Sequence, residues 1–419
     1  MALAIDYFRV SRHLLVAPQT PLPPQYGSHD LWLSASFPLT AYVVSFTIAK
    51  DEQSAMRQAL ARYPLRAAPA GTLLAMLLLL AVPGLPILAC QGAEPPPSAV
   101  PLDSAGVPLV PILSRYEVLA VYDILPVGSV RADYSGITVV GADSSRVTLW
   151  LADDKALRLE DAIYALRLDL PNGPRAQVTS LEPVRIKVEN EHGIPTGDDI
   201  EDIGWLPPTA TAPGLLAASG ERGPGDAPVS WFYLLVPEGQ GLRVSRSGNA
   251  SPPGESVEND GMEGVALRRA AGDRVELYLF KERPGPGYAR LFLLEPDRFG
   301  YRLVPGSSGA ILSTPAFQTQ SGAAFRPGGN TVSVIDRQRR LIGMVQPFHD
   351  RPGLESKPRE WINYAAIDSL LEGRDSGTSP SLFGVLEGIA EDTFGRLYLL
   401  ADNNEVRHSR LVVLRSTRP

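Results

Sequence analysis

The chain has 419 residues, 44% of them hydrophobic and 20% charged, and a formal net charge of −7. That length allows either more than one ordinary domain or one large repeat domain, and the acidic balance argues against a nucleic-acid binder. A single cysteine, Cys90, excludes an intramolecular disulfide and a cysteine-ligated metal cluster. With 38 glycines and 39 prolines, and no low-complexity period, the composition points to a turn-rich, all-β body.

The first ninety residues read as targeting rather than fold. Arg57, Arg62 and Arg66 form a positive region, Leu73 to Val82 is an unbroken apolar run, and Pro83-Gly84 breaks it. Ile87-Leu88-Ala89-Cys90 then resembles a bacterial lipobox, with the chain's one cysteine at the position that a lipoprotein acylates. The pattern predicts a lipoprotein signal peptide over residues 56–90. If Met56 starts translation, residues 1–55 are an upstream extension. The alternatives are an uncleaved anchor, since Ala67 to Ala89 carries no charge and is long enough for a bilayer core of about 30 Å, and a buried core helix. Residues 91–113, opening QGAEPPPS, read as a Pro-rich tether. A diacylglycerol on Cys90 would then hold the body at the bacterial cell envelope, outside the cytoplasm, with the membrane as partner.

From 114 to 419 one pattern recurs: Ser or Glu, Gly, an aliphatic residue, a small residue, a turn, an apolar strand, and a closing acid. The first copy runs from Tyr134-Ser135-Gly136-Ile137 through Val147 to Ala152 and ends on Asp153-Asp154. The second has Ile200-Glu201-Asp202-Ile203-Gly204, Gly214 to Ala218 and Glu221, with Asp202 where glycine is expected. The third has Met262-Glu263-Gly264-Val265-Ala266, Val275 to Phe280 and Glu282. The fourth has Gln320-Ser321-Gly322-Ala323-Ala324, Thr331 to Ile335 and Asp336. The fifth runs from Glu387 to Asp402-Asn403-Asn404. Successive copies start 58 to 66 residues apart. A third strand follows each acid: Ala162 to Leu170, Trp231 to Val236, Ala289 to Leu294, Arg339 to Val345 and Ser409 to Leu414.

Three or four antiparallel strands repeated every ~60 residues predict a β-propeller. Five copies predict five blades. Six is the second option, because the irregular interval from Phe348 to Ser381 has room for a degenerate blade or a short helix over Ala365 to Glu372. The last blade runs out of chain for an outer strand, and Tyr116 to Ile124 is a good strand with no blade of its own. It is predicted to pair with the last blade and close the ring, leaving no exposed edge there.

The blocks MEGVAL (262–267), LEGIAE (386–391) and LLADNN (399–404), with YSGITV (134–139) and QSGAAFRP (320–327), resemble the phytase-like family, also called "esterase-like activity of phytase". The resemblance spans Tyr116 to Pro419 and implies a β-propeller exported by bacteria with a phosphoesterase role. The second block departs from the pattern at Asp202.

Strand-end acids from different blades meet at one mouth of a propeller. Asp153, Glu221, Glu282, Asp336 and Asp402 are therefore candidate metal ligands, and the motif acids Glu201, Glu263 and Glu387, with Asn403 and Asn404, lie near them. Oxygen-only ligands favour Ca²⁺, or Mg²⁺ with retained waters. Arg283 and Arg337 each follow such an acid and are candidates to grip phosphate oxygens, so the expected ligand is a small phosphorylated molecule. The other option is structural: recurring acids often cap turns by accepting backbone N–H bonds. Two functions stay open, metal-assisted phosphomonoester hydrolysis and noncatalytic binding at the envelope. No G-x-S-x-G, H-E-x-x-H, Walker A or dinucleotide fingerprint occurs.

Overall fold

The computed structural model describes residues 101–125, 127, 133–156, 158–170, 178–190, 200–221, 229–252, 261–282, 287–307, 309–348, 351–367, 386–402 and 409–417. They fall within one compact unit, Glu94–Pro419. Cys90, Arg283, Asn403, Asn404 and the signal-like segment lie outside the described residues.

The strands form five sheets. Blade 1 consists of Tyr134–Ala142, Arg146–Asp153, Ile163–Asp169 and Val184–Arg185. Blade 2 consists of Ile200–Leu206, Leu215–Gly220, Trp231–Glu238 and Gly241–Asn249, with Val188–Glu189 at its edge. Blade 3 runs Met262–Arg269, Val275–Lys281 and the long Tyr288–Asp297. Two short strands, Gly300–Leu303 and Ala310–Ser313, share the outer side of that long strand. Blade 4 has Ala323–Phe325, Val332–Asp336, Leu341–Val345 and Glu360–Asn363. Blade 5 has Leu386–Glu391, Arg396–Ala401 and Ser409–Ser416.

Blade 5 is completed by Tyr116–Ile124, which pairs antiparallel with Ser409–Ser416 from Tyr116 opposite Ser416 to Ile124 opposite Ser409. This is the predicted closure. The interval considered for a sixth blade instead supplies Glu360–Asn363, the fourth strand of blade 4, and Ala365 to Ile367 are helical beyond it. The ring therefore has five blades.

Outer edges are covered by chain borrowed from elsewhere. Leu109–Pro111, at the end of the stretch read as tether, lies parallel to Glu360–Asn363. Val178–Leu181 lies parallel to the closing strand, and Val188–Glu189 parallel to Gly241–Asn249. Val184–Arg185 and Val188–Glu189, only three residues apart, thus belong to different blades, 1 and 2.

The core sits between the blades, in five apolar clusters. Strand periodicity explains how one strand serves two of them, because successive side chains point to opposite faces. In RLYLLA of blade 5, Leu397, Leu399 and Ala401 pack with blade 4 residues such as Ile335 and Ile362. Tyr398 and Leu400 turn the other way, onto Ile137 and Leu151 of blade 1. All six residues of that strand are buried.

The first strand of each blade is innermost, and the motif glycines set the spacing there. A Cβ on Gly136 would stand 2.6 Å from the Asp202 backbone, and one on Gly388 2.6 Å from the Ser135 carbonyl. One on Gly322 would collide with the Glu387 carbonyl. Only glycine allows so close an approach of neighbouring backbones.

Candidate functional site

At the N-terminal ends of the inner strands, all five blades contribute charge to one mouth. Blade 1 gives Asp154 and Lys155, blade 2 Glu201, blade 3 Glu263 and Glu282, blade 4 Arg337, and blade 5 Glu387 and Asp402. Arg337 is the hub. Its guanidinium bonds the Glu387 and Glu282 carboxylates from the two flanking blades, and Glu282 is almost fully buried. Burial works against the Arg337 charge, but Glu387, Glu263 and Glu282 outweigh it and hold the group above its ordinary range. Lys155 plays the same part beside Asp154, at 2.6 Å, with Glu201 and Asp402 adding to its field.

Two cations among six carboxylates leave the mouth crowded with negative charge. Burial pushes Glu387 up to about 8, with Asp402 adding and Arg337 opposing. Burial pushes Asp154 up to about 7 against the pull of Lys155. Glu263 is pushed well above the carboxylate range by burial, with Glu201 and Glu282 adding. Charged groups forced toward protonation in a concave mouth are a recurrent mark of a functional site.

The strand-end acids divide into two kinds. Glu282 and Asp402 belong to the mouth. Asp153 and Asp336 serve their own blades: Asp153 accepts the N–H groups of Asp133 at 3.2 Å and Lys155 at 3.1 Å. Asp336 accepts those of Gln318 at 2.9 Å and Arg339 at 3.2 Å, with the Thr319 hydroxyl also at 3.2 Å. Glu221 packs against Gly261, just before blade 3. The motif serines differ from the motif glutamates. Ser135 donates to the Glu201 carbonyl at 2.7 Å and Ser321 to the Leu386 carbonyl at 3.2 Å, each stitching its blade to the next.

One turn of chain deeper, the axis is filled. Asp202, where the other copies have glycine, is 1% exposed. Its carboxylate accepts the N–H groups of Ile203 and Val265 at 2.8 Å each and of Ala323 at 3.3 Å. The Ile137 N–H draws on it as well. Four blades thus turn the backbone amide after the motif position onto one side chain. Full burial pushes this carboxyl well above its ordinary range, and the four donors pull against that. The apparent degeneracy of copy two is the central fastening of the ring.

Beyond Asp202, the C-terminal ends of the inner strands enclose a cavity of about 590 Å³ lined by all five blades. Its walls include Val139, Trp205, Leu267 and Phe325, and its polar groups include Arg268, Arg269, Arg326 and Glu391. Glu391 is buried and pairs with Arg326 at 3.0 Å. Burial pushes it up to about 7, with Arg326 opposing and Asp392 adding.

Sequence reasoning missed Asp154, Lys155, Asp202 and this cavity. Asp154 and Lys155 directly follow the first strand-end acid, and Arg326 and Glu391 lie within two of the quoted family-like blocks, so the signal was adjacent to residues already singled out.

The fold is a five-bladed β-propeller whose ring carries charged groups at one mouth and a separate cavity at the other. No family model matches the chain, and no curated protein matches it in sequence. Solved structures similar to it include a glycosyl hydrolase from Bacteroides ovatus, at 9% identity and a TM-score of 0.40, covering 69% of this chain and 85% of that one. An endo-arabinase from Bacteroides thetaiotaomicron is similar at 11% identity and a TM-score of 0.39, covering 70% and 96%. A luciferin-regenerating enzyme is similar at 12% identity and a TM-score of 0.33, covering 68% and 76%.

Proposed function

We propose that the acidic mouth is a hydrolytic site for phosphomonoesters, on a propeller held at the cell envelope by a lipid on Cys90. The observation that carries this reading is the convergence of Glu387, Asp154 and Glu263 with Arg337 and Lys155 from four of the five blades. Glu387, at about 8, keeps a proton near neutrality and can give it to a leaving alkoxide. Arg337 and Lys155 suit phosphate oxygens. The phytase-like motifs support a phosphorylated substrate.

The donors at the mouth are all carboxylate oxygens, which fit a hard cation such as Ca²⁺. Among the described residues no group of three or more acidic, His or Cys side chains is placed to hold a metal ion; Glu201, Glu263 and Asp402 would have to draw together to hold one. Bound there, it would supply Lewis acidity and offset phosphate charge.

The test is phosphate release by the full chain from p-nitrophenyl phosphate and from phytate, with Ca²⁺ and with chelator. Turnover sensitive to chelator, reduced about 100-fold or more in Glu387→Gln, is the expected result. No turnover on either substrate would sink the proposal. The second reading, a noncatalytic binding module, draws on the engagement of Arg337 with two carboxylates at once; it takes over in that outcome.

A further inference from the structure

The cavity at the opposite end of the ring is a second site, independent of the mouth. Its volume of about 590 Å³ falls in the range of small-molecule pockets, and apolar walls with a few convergent polar groups are the usual composition of such sites. Its charge balance then selects a ligand class. Three arginines line it, against two carboxylates, Glu391 and Asp392. Arg268 is neutralised by Glu276, at 2.5 Å, and Arg326 by Glu391. Asp392 is already committed to Arg396 at 2.5 Å and to the Tyr398 hydroxyl at 2.8 Å.

That leaves Arg269. Among the described residues its partners are neutral: the carbonyls of Pro207 at 2.5 Å and Pro213 at 3.4 Å, and the Tyr301 hydroxyl at 3.3 Å. The cavity therefore carries one positive charge that no carboxylate of the described chain cancels. Its walls include aromatic side chains from two blades, Trp205 and Phe325, and Arg268 lies over the Phe325 ring at 5.6 Å. At the inner end, Asp202 and its four amide donors fill the axis between this cavity and the acidic mouth.

We propose that this cavity binds a small organic anion with an apolar, flat body, its acid group on Arg269 and its body against Trp205 and Phe325. The ligand class follows from the uncancelled charge and the apolar walls together. A purely polar anion would leave the walls wet, and a neutral apolar molecule would leave the arginine's charge without a counter-charge.

The experiment is titration calorimetry on the full chain with three probes of one shape: 2-naphthoate, 2-naphthamide and 2-naphthylmethylammonium. The naphthoate should bind at least tenfold more tightly than the amide, with the ammonium weakest. Arg269→Gln should abolish the preference for naphthoate over amide, while Arg269→Lys keeps it. Ala324→Phe, which fills the cavity from its wall, should remove binding of both, and Glu387→Gln at the mouth should change neither. Equal binding of acid and amide by the unaltered chain would overturn the charge argument, whatever the variants do. Undiminished binding in a folded Ala324→Phe variant would overturn the location.

Discussion

The two ends of the central ring are built from the same five strands, yet they hold opposite chemistry. At the N-terminal ends, motif position two carries Glu201, Glu263 and Glu387, and cations are the minority. Four residues later along the strands the same position in the repeat carries Trp205, Leu267, Phe325 and Glu391, and an arginine follows Leu267 and Phe325. The backbone repeats, but the side chains at each end do not. Chemistry on this ring therefore comes from the departures between copies rather than from what the copies share. Asp153 and Asp336 make the same point from the other side: they keep the repeated acid and spend it on their own turns.

The partition at Asp202 is the place where this contrast breaks most severely. Asp202→Ala would strand backbone N–H groups of several blades in the core, and each unsatisfied buried donor costs about 1–3 kcal/mol. A loss of at least about 3 kcal/mol in urea unfolding is expected. Asp202→Gly leaves space for a small acid, so formate should restore part of that loss, and acetate less. Equal stability of Asp202→Ala and the parent would remove the fastening role.

Next in size is Arg337→Met, which leaves Glu282 and Glu387 without their cation. Breaking a buried pair on one side typically costs about 3 kcal/mol or more. The loss should shrink in the triple change with Glu282→Gln and Glu387→Gln, and naphthoate binding at the far cavity should not move. A parallel loss at both ends would show that they are not separate.

The pH dependence has a sign that both ends share. In the folded chain Asp154 and Glu391 lose their protons at about 7 and Glu387 at about 8, against ordinary values of 3.8 and 4.5. The folded chain therefore holds protons that the unfolded chain has released, and stability is greatest below the ordinary values and falls as pH rises through about 7 to 8. Melting temperature should drop between pH 5 and pH 8.5. Glu391→Gln should remove its share of the fall, which ends near pH 7 together with that of Asp154 at the mouth, and Glu387→Gln the part that alone continues to about pH 8. A melting temperature that rises over this range would contradict the assignment. The smallest effect is expected for Ser135→Ala, which removes one stitch between blades 1 and 2, about 1 kcal/mol by the same unfolding measurement.

Much of the architecture was legible in the sequence. The five motif copies mark the five blades, and Tyr116–Ile124 showed itself as a strand in want of a partner because alternating apolar residues precede any motif glycine. The borrowed edge strands were not legible. Leu109–Pro111 and Val188–Glu189 are too short for a period, and parallel pairing with a distant blade leaves no local trace. For the site, Glu201, Glu263, Glu282, Glu387, Asp402 and Arg337 could be placed at one mouth because the repeat fixes their depth. Whether an acid at that depth turns to its own blade or to the axis depends on neighbours more than a hundred residues away, as Asp202 with Ala323 shows. The cavity was invisible for the same reason, since nothing in the local order of Arg268, Arg269 and Arg326 marks them as facing one space.

Asp202 also bears on how such a ring could be redesigned or traced back to a single ancestral blade. A consensus taken over the five copies would write glycine at its position, because four of the five have it. The averaged protein would repeat well on paper and be hollow along its axis, with amides aimed at nothing. An axis shared by five units has room for one carboxylate, so perfect symmetry is the one sequence solution this ring cannot use.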